Sequence, residues 1–152
     1  EFQGFAGAGV ERDQRLHLGV ACRQGHPGTD LVQGDTLGED GDPLDALVIA
    51  RSPFMPGCVV RCRPIAVLNL EDEHGGDEKL LCVPIDATFP YYRKISEGDD
   101  LPEIVMQQIE HFFTHYKDLE PEKWVRVGKW GDADEARRIL LEAIEREKAS
   151  KE

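Results

Sequence analysis

Leu44 to Ala50 reads Leu-Asp-Ala-Leu-Val-Ile-Ala, a short apolar and β-branched run followed by the turn formers Ser52, Pro53, Pro56 and Gly57. That pattern predicts a strand leading into a loop. Val59 to Leu70 gives a second, longer run in which Val59, Arg61, Arg63, Ile65, Val67 and Asn69 alternate with Val60, Cys62, Pro64, Ala66, Leu68 and Leu70. Pro64 lacks the N–H that an interior ladder needs, so it predicts an edge or a bulge. Lys79 to Pro84 is a third apolar run, and Gly75-Gly76 between the two predicts a hairpin-type reversal. Residues 1 to 36 show no sustained period, with only Leu16 to Val20 suggesting a short strand.

Toward the C-terminus the period changes to that of helices. Asp99-Asp100-Leu101-Pro102-Glu103 predicts a helix start with an acidic cap, and Val105, Ile109, Phe112 and Tyr116 then fall on one face. Asp132 followed by Glu135 resembles a capping box, and Ala136, Ile139, Leu140, Ala143 and Ile144 line a second amphipathic helix. Short strands followed by two helices, without βαβ alternation, predict an α+β fold with a small barrel or curled antiparallel sheet. The length, 152 residues, suits one domain over 1–152.

Charge narrows the choice of partner. Thirty acidic against eighteen basic residues give a formal net charge of -12, which disfavours nucleic acid, an oligonucleotide-binding barrel and anionic membrane surfaces, and makes cations the natural ligands. No stretch approaches the length of an apolar membrane span, and the absence of a basic-then-apolar leader points to the cytoplasm. Cys22, Cys58, Cys62 and Cys82 form neither a C-x-x-C pair nor a Cys/His pattern of zinc-site spacing, so they read as reduced thiols.

The chemistry concentrates in Asp40-Gly41-Asp42-Pro43-Leu44-Asp45, three carboxylates within six residues. Such crowding is either a solvated acidic turn or a site for hard divalent cations with oxygen ligands. An EF-hand loop would need Gly and Glu where Asp45 and Arg51 stand, and a D-x-D-x-T phosphatase would need Thr where Leu44 stands. A second acidic turn, Asp72 to Asp77, lies beside Lys79.

Four ordered blocks resemble the soluble inorganic pyrophosphatases of family I. They are Thr36-Leu37-Gly38-Glu39-Asp40-Gly41-Asp42-Pro43-Leu44-Asp45-Ala46-Leu47-Val48, then Pro56-Gly57 with Arg61-Cys62-Arg63-Pro64, then Asp72 to Lys79, then His111 to Glu120. The resemblance covers residues 36 to 150. It implies a small closed, OB-like antiparallel β-barrel with two flanking helices, hydrolysis of inorganic pyrophosphate, and a homohexamer of the bacterial type. It also implies Mg²⁺ held by Asp40, Asp45, Asp72 and Asp77, Asp42 as general base, and phosphate contacts from Lys79, Tyr116 and Lys117. Glu73 shares the acidic turn without a definite role.

Other readings stand beside these. Tyr116 shares a helical stripe with Phe112 and Ile109 and by periodicity alone would be core, and Lys117 alone would be a helix-end cation. His74, His111 and His115 read as surface or structural residues, and Trp124 and Trp130 as packing residues. The resemblance fails over residues 1–35. There the family's early Lys, Glu and Arg positions fall on Gly4, Ala6 and Leu18, and its Tyr pair on His26 and Asp30, although Pro27 matches and Arg15 lies near the Arg position. A slipped reading frame accounts for the abrupt junction. The competing accounts are an alternative segment and a diverged homologue that binds metal or phosphate without turnover.

Overall fold

The computed structural model describes residues 36–51, 54–55 and 58–151, together with the backbone of 17–20. Arg15, Cys22, His26, Pro27 and Asp30 lie outside these residues, as do the turn formers at 52, 53, 56 and 57. The strands are β1 (His17–Val20), β2 (Asp45–Ala50), β3 (Cys62–Asp72), β4 (Gly75–Gly76), β5 (Lys79–Pro84) and β6 (Val125–Gly131). The helices are α1 (Glu103–His115) and α2 (Ala133–Ser150).

The strands form a single mixed sheet in the order β1-β2-β5-β3-β4, with β6 also paired to β3. The expected antiparallel arrangement is corrected at one ladder: β2 and β5 run parallel, with Asp45 opposite Lys79 and Leu47 opposite Leu81. Parallel pairing requires both faces to be covered, and β5 is buried from Lys79 to Pro84. Among the described residues the hydrogen-bonded path is open, so it is not the closed barrel of the resemblance. Pro64 sits at the expected irregularity, a register shift between Pro64 and Ala66. Among the described residues the first half of β3 pairs with β5 alone, since β6 joins β3 from Val67 onward.

Period-two alternation divides the apolar residues between two layers. Ile49, Leu81 and Val83 face Val105, Ile109 and Phe113 of α1, whereas Val48, Leu80 and Cys82 face Ala136, Ile139 and Ala143 of α2. Each fully buried Leu, Ile or Val contributes about 1.5–3 kcal/mol of transfer free energy, so the two clusters fix both helices to the sheet. Asp132 caps α2 as expected, accepting from the Glu135 amide at 2.8 Å. The acidic pair before α1 does something else. Asp100 accepts from the Ser96 and Glu97 amides and closes a preceding 3₁₀ turn, leaving Pro102 at the helix N-cap without a side-chain bond.

Candidate active site

The parallel β2–β5 ladder determines where charge meets. Asp45 and Lys79 are the first residues of their strands and lie in register, so both side chains reach the same sheet edge. Lys79 Nζ donates to Asp45 Oδ2 at 2.6 Å and also to Asp77 Oδ1. Asp77 is placed by the turn before β5, where its amide donates to the Leu70 carbonyl at 2.9 Å. A few residues away, at the end of β3, Lys117 Nζ donates to Asp72 Oδ2 at 2.6 Å and lies 3.3 Å from Glu73 Oε2. The turn after β3 holds Asp72 in place, because its other oxygen accepts from the His74 amide at 2.7 Å.

Tyr116 stands between the two lysine centres. Its ring packs on Phe112, a member of its predicted stripe, with centroids 5.6 Å apart, and also on the buried Phe113, outside that stripe, at 5.4 Å. Its hydroxyl nevertheless feels Lys117, Lys79 and Asp77, so the ring serves the core while the polar end belongs to the charged cluster. Burial pushes its phenol up.

The electrostatics differ between neighbouring carboxylates. Burial raises Asp72, but hydrogen bonds from Lys117 and the His74 amide outweigh it and hold the carboxyl below its ordinary range. Burial also raises Asp77, and there it prevails over Lys79, helped by repulsion from Asp45 and Asp72. Burial would discharge Lys79 and Lys117, yet their carboxylate partners win and raise both ammoniums. Asp45, Asp77 and Lys79 form a partly buried centre in which two carboxyl groups share one ammonium.

Asp40 and Asp42 lie on a separate turn, outside that hydrogen-bonded cluster. The Asp40 carboxylate accepts from the Asp42 amide at 3.0 Å, and Asp42 is exposed. The local sequence dictates this turn. Gly41 has φ +91°, a left-handed conformation that favours glycine, and a Cβ on Gly38 would come within 2.7 Å of an Asp40 oxygen. The Gly38 amide donates to the Asp42 carbonyl at 2.7 Å, and buried Thr36 accepts from the Leu44 amide at 3.1 Å.

The donors at Asp45 and Asp77 are all carboxylate oxygens, the set that suits a hard cation such as Mg²⁺. Among the described residues, no three His, Cys, Asp or Glu side chains already stand as a metal-binding group. Lys79 is where the Asp45 and Asp77 carboxylates meet instead, so a cation would share or displace that contact. Glu73 gains a position that its sequence context did not define, bridging Lys117 and the Trp124 amide. Trp130 is a packing residue that donates to Glu110 at 2.6 Å, whereas Trp124 is exposed with Arg126 over its ring. His74 is exposed, and His115 contacts Asp118 at 2.9 Å. Sequence periodicity gave no role to Arg146, which reaches from α2 to the Leu37 carbonyl at 2.8 Å. Its only signal was a basic residue late in a helix.

The profile of the family described as Inorganic pyrophosphatase matches residues 33–148. An inorganic pyrophosphatase of Brucella melitensis is 53% identical over 123 residues, covering 81% of this chain and 70% of that protein. One from Xanthomonas campestris is 53% identical over 112 residues, covering 74% and 63%. Among solved structures, the inorganic pyrophosphatase of Helicobacter pylori superimposes with a TM-score of 0.74 at 40% identity, covering 90% of this chain and 75% of that one. That of Thermus thermophilus gives 0.70 at 42% identity, covering 80% and 74%. With a profile match over most of its length and relatives identical at about half of the aligned positions, the chain belongs to the inorganic pyrophosphatase family.

Proposed function

We propose that this chain hydrolyses inorganic pyrophosphate to two orthophosphates with Mg²⁺ as cofactor. The observation that carries the reading is the convergence of Asp45, Asp72, Asp77, Lys79, Lys117 and Tyr116 at one sheet edge, in a chain of this family. Asp40, Asp45, Asp72 and Asp77 would hold the cation, which when bound neutralises the diphosphate and makes water more acidic. Lys79, Lys117 and the Tyr116 hydroxyl donate to the phosphoryl oxygens and stabilise charge on the departing phosphate. Asp42, exposed on its turn, takes the proton from the water that attacks phosphorus in line as the P–O–P bond breaks. Glu73 keeps Lys117 aimed at the site by sharing its ammonium with Asp72.

The same reading takes residues 1–152 as one domain, closure of the sheet into an OB-like barrel, a homohexamer, and a cytoplasmic location with no nucleic-acid or membrane partner. It agrees with the finding that no helix among the described residues is long and apolar enough to cross a membrane. Phosphate release from pyrophosphate, measured with Mg²⁺ and with excess chelator, tests it. Turnover that requires the cation is expected. Cation or phosphate binding without turnover would replace this reading with that of an impaired homologue.

A further inference from the structure

The turn bearing Asp40 and Asp42 is fastened to α2. One helical turn grips Leu37 from both sides: the Leu37 amide donates to the Ala143 carbonyl at 3.0 Å, and the Leu37 carbonyl accepts from Arg146 Nε at 2.8 Å. Two more carboxylates converge beside this contact. Glu39 Oε2 and Glu78 Oε1 each lie 3.5 Å from where a Cβ on Gly76 would stand. Glu39 adjoins Asp40, and Glu78 lies between Asp77 and Lys79. One partly buried guanidinium therefore binds the start of the aspartate turn directly, close to where Glu39 meets the segment before Lys79.

We propose that Arg146 is a positioning residue for the reaction, holding the Asp40–Asp42 turn on α2 in a fixed place beside the start of β5 so that carboxylates from both segments can share a divalent cation. Arg146 need not touch substrate for this. The inference rests on the proposed function for its consequence in turnover, and on the hydrogen bonds alone for its consequence in the turn. A guanidinium suits the task because its planar, always charged group carries several donors in a fixed geometry, of which Nε serves the Leu37 carbonyl.

The test compares Arg146→Met and Arg146→Lys with Arg137→Met, which removes an exposed α2 cation paired with Asp134. Mn²⁺ binding is titrated by the spectroscopic signal of the free ion, amide exchange is followed across residues 37–45, and turnover is measured against Mg²⁺ concentration. Arg146→Met is expected to weaken Mn²⁺ binding about tenfold, equivalent to about 1.4 kcal/mol, and to raise turn exchange by a similar factor. Excess Mg²⁺ should recover most of its turnover, and Arg146→Lys should fall between it and the parent. Mn²⁺ binding and turn exchange equal to those of Arg137→Met would overturn the proposal, as would exchange rising equally through β3 and β5. If Arg146→Met fails to fold, Arg146→Lys carries the same comparison. A parent chain without turnover would contradict the proposed function while leaving the Mn²⁺ and exchange comparison intact.

Discussion

Two sets of aspartates, close in composition, are held in opposite ways. Asp45, Asp72 and Asp77 end on the ammoniums of Lys79 and Lys117, whereas Asp40 and Asp42 ride a glycine turn secured through backbone bonds. The first set ties the charge balance of a partly buried sheet edge to the stability of the fold. The second leaves the Asp42 carboxylate exposed on its turn. Under the proposed function, substitution at the first set is expected to perturb fold and chemistry together, and substitution at Asp42 chemistry alone.

Lys79→Met should break the comparison open most widely. It leaves two neighbouring carboxylates without their shared cation, and removing one partner of a buried pair costs about 3 kcal/mol. Urea unfolding in chelator should show that loss, with part of it restored by Mg²⁺. A loss under about 0.5 kcal/mol would mean that the ammonium is not what holds the edge together. Lys117→Met should follow with about 2 kcal/mol, since its charged hydrogen bonds to Asp72 and Glu73 disappear. Phosphate release should fall about 100-fold in the same variant, measured at saturating Mg²⁺.

Acid titration of the metal-free protein sharpens the comparison within the first set. Asp72 is depressed on folding, so the stability it contributes is present above the unfolded carboxyl pKa and is lost as pH falls through the lower folded value. Asp77 is raised on folding, so its contribution is present below the unfolded pKa and is lost as pH rises through the folded value. Asp72→Asn should therefore soften the loss of stability on acidification, and Asp77→Asn should remove a penalty that the parent carries near neutrality. Unfolding midpoints across the acid range check both signs, and the same slope change in both variants would refute the distinction.

Much of this was legible in the residues. The apolar runs gave β2, β3 and β5, Pro64 marked the irregularity in β3, and Asp132 marked the start of α2. Local pattern does not encode the direction in which a strand meets its partner, so the parallel β2–β5 ladder and the contact between Asp45 and Lys79 were not legible. Asp99-Asp100 carried the signature of a helix cap, but Asp100 spends its carboxylate on the turn before Leu101. Tyr116 packs its ring as periodicity predicted, while the charges around its hydroxyl come from distant segments that periodicity does not report. Arg146 could not be found by pattern, because its partner Leu37 lies 109 positions away.

The smallest stability change and the most direct test fall on the same residue. Phosphate release from pyrophosphate with Mg²⁺ is compared for the parent chain and Asp42→Ala, alongside their urea midpoints. The proposed role of Asp42 as general base predicts turnover reduced at least about 100-fold with stability within about 0.5 kcal/mol of the parent, since Asp42 is exposed and its amide bond to Asp40 survives. Unchanged turnover in Asp42→Ala would contradict it.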